Sequence, residues 1–523
     1  MRRRSHRQGP GGADRRRPAA VRVAALLVVT AALTAAACVP QPVQPSEVSD
    51  PGTSPGLTQL RVRDPGPAAA VVDGYGRQVQ LRGTNLNHLA DYFQPYPELP
   101  TTLPVTDADW DELVARGYNT IRLVTSWSAW EPERDRIDEA YAARVRETVR
   151  TANDHGLYVI IDMHQDAWSK FVFTPADEAC PPGTSPQKGW DGAPAWATIT
   201  DGAPTCSPAG REDSPAVRAA WDAFYADRDG VRSELAALWG RIAAEYAHVP
   251  GVAGYDLLNE PGFGNDGGAV TIGGLTAFFR ESLAAIRSAE RAAGAASHLV
   301  FFETGVTGQL VTRFTDDPDM VFAPHVYAEA IGPSFPGLLD LLFDALRVLS
   351  TGYGTPVWVG EYNQYGSEEN QRAWMSRFAR LADSRGYAGG TWYTWNYGCG
   401  DPHGLQWPAS PEWLEAQRAT CPGSRSPVAC DSRSYPRAAP GRVSSIEASP
   451  CGGALTVTGS TPTPSTADLW YHPDPAVVGG GPGPPPTVTG TGVGTVTMTP
   501  AGDGWRVFVG VAGDYRIQVT PAG

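Results

Sequence analysis

A chain of 523 residues has room for one large domain and a smaller one, and it buries a full core with ease. Its formal net charge is −14, and residues 1–37 hold eight arginines against one aspartate, so the remainder stands near −21. So acidic a body excludes a nucleic-acid binder, which needs a basic face, and removes electrostatic attraction to anionic lipid.

The chain opens on an export signal over residues 1–38. Arg2–Arg4, Arg7 and Arg15–Arg17 form a basic region, and Val21–Ala37 is rich in small and aliphatic residues. That run is short for a membrane span, which needs about 20 residues. It ends Ala35–Ala36–Ala37–Cys38. Small residues before a lone cysteine resemble a bacterial lipobox, whose cysteine is acylated and becomes the new N-terminus. Ala35 departs from that pattern, which favours a large aliphatic residue there. The other reading is ordinary Ala-x-Ala cleavage beside an incidental cysteine. Either way the expected location is outside the cell, as a secreted protein or a cell-surface lipoprotein of a bacterium. Residues 39–60 follow as a disordered linker, rich in Pro, Ser, Thr and Gly.

The catalytic part is expected over residues 61–433. Val71–Gly76 and Val79–Leu81 suggest a hairpin with an Asp-Gly turn. From there strands and helices alternate. Strands are expected at Leu81–Asn85, Asn119–Leu123, Tyr158–His164, Val252–Leu258, Leu299–Glu303, Val321–His325, Pro356–Glu361 and Gly390–Trp395. Helices are expected at Asp107–Arg116, Ile137–Asp154, Pro215–Tyr246, Leu275–Ala293, Leu338–Leu349 and Glu368–Arg385. A Pro/Gly/Trp-rich insertion separates His164 from about Asp213. This alternation predicts the α/β class, a (β/α)8 TIM barrel with insertions. Functional residues of such a barrel sit at the C-terminal ends of its strands. Asn85, Arg122, His164, Glu260, Glu303, His325, Glu361 and Trp395 fall in those places.

Past residue 434 the helical pattern stops. Short Val/Thr runs at Ala454–Val457, Thr495–Met498, Trp505–Val509 and Tyr515–Val519 alternate with Pro and Gly. They predict a C-terminal antiparallel β-sandwich over residues 434–523. Setting Cys38 aside leaves Cys180, Cys206, Cys399, Cys421, Cys430 and Cys451, an even set that suggests three disulfides in an exported chain. A Cys180–Cys206 bond would close the insertion, and the other four cysteines can pair in three ways. No Cys-x-x-Cys or histidine pairing has zinc spacing, so no metal is expected, and paired-carboxyl chemistry would need no cofactor.

Two glutamates carry the chemistry. The apolar run Val252–Leu258 ends in Asn259–Glu260–Pro261, and Pro356–Gly360 ends in Glu361. Pro261 cannot join a sheet ladder, so it leaves Asn259 and Glu260 at a strand end. Paired carboxyls facing one another are what a retaining glycosidase needs, one as acid/base and one as nucleophile. Strands four and seven of a closed barrel bring them together across the mouth. Asn259 suits the 2-hydroxyl of the reacting sugar. Arg122 and Tyr327 suit an ionised Glu361. Burial and the neighbouring carboxylate are expected to keep Glu260 protonated near neutrality. His164 and His325 are polar posts on neighbouring strands, and Trp395, rather than Trp392, offers a face to a sugar ring.

These residues resemble glycoside hydrolase family 5, over about residues 70–420. Ile121–Arg122–Leu123, Asn259–Glu260–Pro261, His325–Val326–Tyr327 and Gly360–Glu361 carry the resemblance. Within that family Asp162–Met163–His164–Gln165–Asp166 is similar to the endoglycoceramidases, which release an intact glycan from ceramide. The resemblance implies that His164 and Asp166 bind the sugar beside the ceramide. It also implies a glycolipid substrate, and contact with a membrane surface through that substrate and through any lipid on Cys38. Phe171, Phe173, Trp190, Trp196 and Phe335–Leu339 are candidates for an apolar trough. The segment Asn85–Tyr92 has no lysine, which some members use for acidic glycans. Its absence points toward neutral or galactosyl-linked glycolipids, as in the endogalactosylceramidase branch. A monomer is expected. Two other readings remain: a family 5 β-glucanase or mannanase, and a surface lipoprotein that binds carbohydrate without cutting it.

Overall fold

The computed structural model describes residues 56–94, 102, 104–265, 268–306, 311–331, 335–364, 367–395, 430, 432–474 and 481–522. The expected export signal, most of the linker, Cys38, Cys399 and Cys421 lie outside these residues.

Three short strands come first: β1 (Arg61–Arg63), β2 (Ala70–Val72) and β3 (Gln78–Val79). β2 and β3 pair antiparallel around the expected Asp73–Gly74 turn. The Asp73 carboxylate holds that turn, accepting from the backbone N–H of Tyr75 at 3.0 Å and of Arg77 at 2.9 Å. The last residues of the expected linker are ordered instead. Leu60 is fully buried, and Tyr158 Oη donates to the carbonyl of Thr58 at 3.0 Å.

The alternating series follows: β4 (Leu81–Leu89), α1 (Asp107–Ala115), β5 (Thr120–Ser126), α2 (Trp127–Trp130), α3 (Glu139–Asp154), β6 (Tyr158–His164), α4 (Pro215–Tyr225), α5 (Val231–Tyr246), β7 (Val252–Asp256), α6 (Gly268–Ala293), β8 (Leu299–Phe302), β9 (Met320–Phe322), β10 (His325–Val326), α7 (Leu338–Tyr353), β11 (Val359–Tyr362), α8 (Glu368–Ser384) and β12 (Gly389–Trp392). The strands form one sheet in the order β10-β11-β12-β4-β5-β6-β7-β8-β9. A parallel bridge from Phe322 to Val357 closes it into the expected barrel. β9 and β10 are one barrel strand, interrupted at Pro324, which has no N–H to give the ladder.

The pleat puts alternate residues inside. On β6, Tyr158 and Ile160 point into the lower barrel, and Asp162 and His164 lie further along the same face. On β8, Leu299 and Phe301 point in, and Glu303 is the next position on that face. Leu81, Ile160, Ala253, Phe301, Val321 and Trp358 form one buried cluster with Leu60, Val62 and Val71. The opening strands therefore plug the apolar floor, and the polar positions are raised to the opposite mouth. Helices pack outside, over the other face of each strand.

The antiparallel part contains β13 (Tyr435–Ala439), β14 (Arg442–Ala448), β15 (Leu455–Tyr471), β16 (Thr487–Ala501) and β17 (Gly504–Thr520). The expected short runs are parts of long strands. β15 and β17 pair on both sides of a register shift at Thr461–Ser465, where Pro462 and Pro464 bend the ribbon. Leu455, Val457, Ala467, Leu469, Val507, Val509, Ile517 and Val519 share one core. The two halves of the ribbon thus face each other as the expected sandwich. The opening strands join this sheet, because β3 pairs with β13. Two disulfides are present among the described residues, Cys180–Cys206 as expected and Cys430–Cys451.

Candidate active site

Arg122 on β5 organises the mouth. Its side chain is fully buried, and its guanidinium donates five bonds. Nε reaches Asp256 Oδ2 at 2.8 Å, and Nη1 reaches Glu361 Oε1 at 2.8 Å and Asn85 Oδ1 at 3.1 Å. Nη2 reaches Asp162 Oδ1 at 2.8 Å and Asn259 Oδ1 at 3.1 Å. Burial alone disfavours the cation, but Asp162, Asp256 and Glu361 raise its pKa well above the ordinary value.

Glu361 sits on β11, 4% exposed. Arg122 fixes one oxygen, and Tyr327 Oη donates to the other at 2.8 Å. This is the pair of donors expected for an ionised carboxylate. Asn259 and Glu260 follow β7. Glu260 has a left-handed backbone, φ 38°. Its N–H donates to Glu303 Oε1 at 2.5 Å, and Gln165 Nε2 donates at 2.8 Å to the carbonyls of both Asn259 and Glu260. Asn259 Nδ2 donates back to the Gln165 carbonyl at 2.9 Å. The turn that aims Glu260 is thus clamped from β6 and from the end of β8.

The two glutamates meet across His325. A carboxylate oxygen of Glu260, a ring nitrogen of His325 and a carboxylate oxygen of Glu361 lie within 4.8 Å of one another. His325 Nδ1 stands 3.0 Å from Glu260 Oε1 and 3.5 Å from Glu361 Oε2, and Nε2 stands 3.7 Å from Glu303 Oε1. Burial disfavours the imidazolium, but Glu303, Glu361 and the bond to Glu260 lift its pKa to about 10. Glu303 is a buried acid raised well above its ordinary value by desolvation. These three groups are near enough to share a cation. Arg122, Arg211 and His325, whose pKa is raised, bring positive charge to the same carboxylates.

His164 lies on the wall from β6. Its Nδ1 is 2.7 Å from Asp162 Oδ2, and its ring stacks on Tyr393 with centroids 6.2 Å apart. Burial opposes its charge, but Asp162 with Asp191 and Asp166 raises it to about 9. Asp166, 3% exposed, binds the Arg211 guanidinium.

Two expectations are corrected. The first is the direction of the Glu260 shift. Burial pushes its pKa up, but the bond and charge of His325, then Arg211, outweigh it and hold the carboxyl below its ordinary value. Trp395 does not face the carboxylates. Its Nε1 donates to Asp109 Oδ1 on α1 at 3.0 Å, and Arg116 covers its ring at 5.4 Å. Tyr393, two residues back, is the aromatic beside His164. Gln165, Arg211 and Tyr393 were not singled out as site residues. Gln165 lies inside the Asp162–Asp166 run, and Tyr393 is offset by one from the Trp392/Trp395 choice. Arg211 comes from a loop with no periodicity to mark it.

A family model described as cellulase (glycosyl hydrolase family 5) matches residues 72–398. Endoglycoceramidase I of Rhodococcus hoagii (strain 103S) is 30% identical over 364 residues, 63% of this chain and 67% of that one. An endoglycoceramidase of Hydra vulgaris is 27% identical over 419 residues, 72% of this chain and 73% of that one. A crystal structure of an endogalactoceramidase superposes with a TM-score of 0.74 at 35% identity, covering 88% of this chain and 100% of the other. With the arginine-bound carboxylate of Glu361 facing Glu260 at the mouth of a parallel barrel, these matches make the chain a member of glycosyl hydrolase family 5, an enzyme that hydrolyses O-glycosyl bonds.

Proposed function

We propose that the protein is a retaining endo-glycosidase that cuts the bond between glycan and ceramide in glycosphingolipids. One observation carries the stereochemistry: carboxylate oxygens of Glu260 and Glu361 within 4.8 Å of each other. Retaining pairs stand about 5–5.5 Å apart, whereas inverting pairs leave about 6.5–9.5 Å for a water. Glu361, fixed by Arg122 and Tyr327, attacks the anomeric carbon while Glu260 protonates the leaving oxygen. In the second step Glu260 takes a proton from water, which displaces Glu361. Asn259 and His325 flank the reacting carbon, and His164 and Asp166 line the sugar side. Both carboxylates and their cations come from one chain, so a monomer suffices.

The names of the relatives support a ceramide leaving group, and so does the rim. Phe171 and Phe173 on the insertion are 43% and 37% exposed, and Ile331 and Phe335 after β10 are 58% and 50% exposed. Apolar side chains left in water on loops that follow barrel strands suit a lipid tail. Of the other trough candidates, Leu339 is fully buried, and Trp190 and Trp196 are covered or bonded. Trp190 lies under Arg211, and Trp196 Nε1 donates to the Glu131 carbonyl at 3.0 Å. The first loop carries no lysine of its own, which favours a neutral or galactosyl-linked glycan, and Lys170 of the insertion pairs there with Asp91 at 2.7 Å. The enzyme acts outside the cell on a membrane-borne substrate, with Cys38 as an anchor if it is acylated. Mass spectrometry of the mature N-terminus decides that point.

The test incubates the protein with galactosyl- and glucosylceramides, cellulose oligomers and mannan. Release of free ceramide on thin-layer chromatography, with the retained anomer seen first by NMR, is the expected result. Cleavage of the polysaccharides alone would make the protein a glucanase or mannanase.

A further inference from the structure

Glu260 sits just past the end of β7, on a turn rather than in the sheet. Its φ of 38° is left-handed, a region that favours glycine, and Pro261 follows with no N–H to offer. Such a backbone persists only where its surroundings over-determine it. Two side chains do so here. Glu303 Oε1 accepts from the Glu260 N–H at 2.5 Å. Gln165 Nε2 gives one hydrogen to the Asn259 carbonyl and the other to the Glu260 carbonyl, each at 2.8 Å.

Gln165 is itself fixed. It directly follows β6 and is buried. Its Oε1 accepts from the Trp168 N–H at 2.8 Å, so a flipped amide would set an oxygen against two carbonyls. Gly192, at φ 114°, lies so close that a Cβ there would come 2.6 Å from Gln165 Cβ. All three bonds of the Gln165 side chain go to backbone atoms around the turns. The tip of Glu260 is held separately, by His325 and Arg211, and Glu361 is held by Arg122 and Tyr327. Asn259 joins the two halves, its Oδ1 accepting from Arg122 and its Nδ2 donating to the Gln165 carbonyl. That carbonyl belongs to the backbone, so a change of the Gln165 side chain keeps the joint.

We propose that Gln165 is a positioning residue for the acid step: by holding both carbonyls of the Glu260 turn it sets the Glu260 carboxyl within reach of the leaving oxygen, and it leaves the attack by Glu361 alone. The idea rests on Glu260 being the acid/base. In that step the Glu260 proton passes to the glycosidic oxygen while the carbon–oxygen bond breaks and Glu361 bonds the anomeric carbon. The transfer needs hydrogen-bond reach, and a misplacement of about 1 Å costs roughly a hundredfold. A leaving group that departs as a stable anion takes no proton, so it does not feel the misplacement.

The test measures kcat/KM on a glycosylceramide and on aryl glycosides whose phenols span a range of acidity, for wild type, Gln165→Met, Gln165→Glu, Tyr327→Phe and Glu260→Gln. Gln165→Met keeps the volume without a donor, and Gln165→Glu keeps the shape and donates one bond when protonated. Gln165→Met is expected to lose about a hundredfold on glycosylceramide and less than about fivefold on the most acidic phenol, so its plot of log kcat/KM against phenol pKa is steeper than that of wild type. Gln165→Glu should fall between them. Tyr327→Phe loosens the nucleophile and should lose alike on every substrate. Each slope compares substrates on one preparation, so a smaller folded fraction does not alter it. Equal losses across the series in both Gln165 variants, or no loss in either, would overturn the proposal. A flat slope in Glu260→Gln as well would sink the acid/base reading itself, whereas a steep slope there beside flat ones in the Gln165 variants removes Gln165 alone. If wild type releases no ceramide, the substrate reading fails, and the aryl series on whichever sugar is cut still decides the role of Gln165.

Discussion

Arg122 meets three carboxylates without reaching solvent, and its loss strands all three. Breaking a buried pair by removing one partner costs about 3–5 kcal/mol. Arg122→Met is expected to lose at least that much in urea unfolding at neutral pH. Arg122→Lys should not rescue it, because a single ammonium cannot serve five acceptors in a plane. Glu361→Gln is a different kind of change. It keeps the volume and an acceptor for Tyr327, so the melting temperature should hold within a few degrees while turnover drops by roughly a thousandfold or more. Normal kcat in that variant would remove Glu361 as nucleophile.

Elements depend on close approaches that a pattern of apolar residues does not reveal. Gly117, at φ 79°, lies under the Trp470 ring, where a Cβ would sit 2.1 Å from Cε2. Tyr435 Oη donates to its carbonyl at 2.7 Å. Gly117→Ala should therefore pull the sandwich off the barrel, at a cost of about 2 kcal/mol or more read from the denaturant midpoint. The barrel itself was legible in the sequence because each strand shifts from apolar to polar along its inward face, as Ile160, Asp162 and His164 do. What stayed hidden was irregular. Residues 215–246 carry one continuous apolar stripe, yet the chain breaks at Asp227, Asp229 and Gly230, all left-handed. The Thr461–Pro464 stretch looks like a strand end, yet it is a bend inside β15. At the mouth, Arg122, Glu260 and Glu361 stood out because strand ends select them. Arg211 did not, because the Cys180–Cys206 loop places it through contacts distant in sequence.

Above about pH 6, several buried groups of the whole molecule bind protons more tightly folded than unfolded. Burial raises Asp319 to about 6 and Glu212 to about 7. The surrounding carboxylates overcome burial to raise His164 to about 9 and His325 to about 10. For the histidines, a raised folded pKa means stability that is full below the ordinary 6.5 and is lost as pH climbs through those values. Ionising the buried acids acts in the same direction at lower pH. The urea midpoint is thus expected to fall steadily from pH 6 to about pH 9.5. A midpoint that rises over that span would mean both imidazoles are neutral in the native protein.

The seam between β3 and β13, where Val79 meets Ala438 and Gln78 meets Ala439, also sets an order of events during synthesis. A ribosome makes the first of these strands about 360 residues before its neighbour. For all that time one edge of the β1–β3 sheet waits without the strands that complete it, the kind of edge on which nascent chains cling to one another. Translation arrested just short of residue 438 should therefore yield aggregating products, and arrest past residue 522 soluble ones.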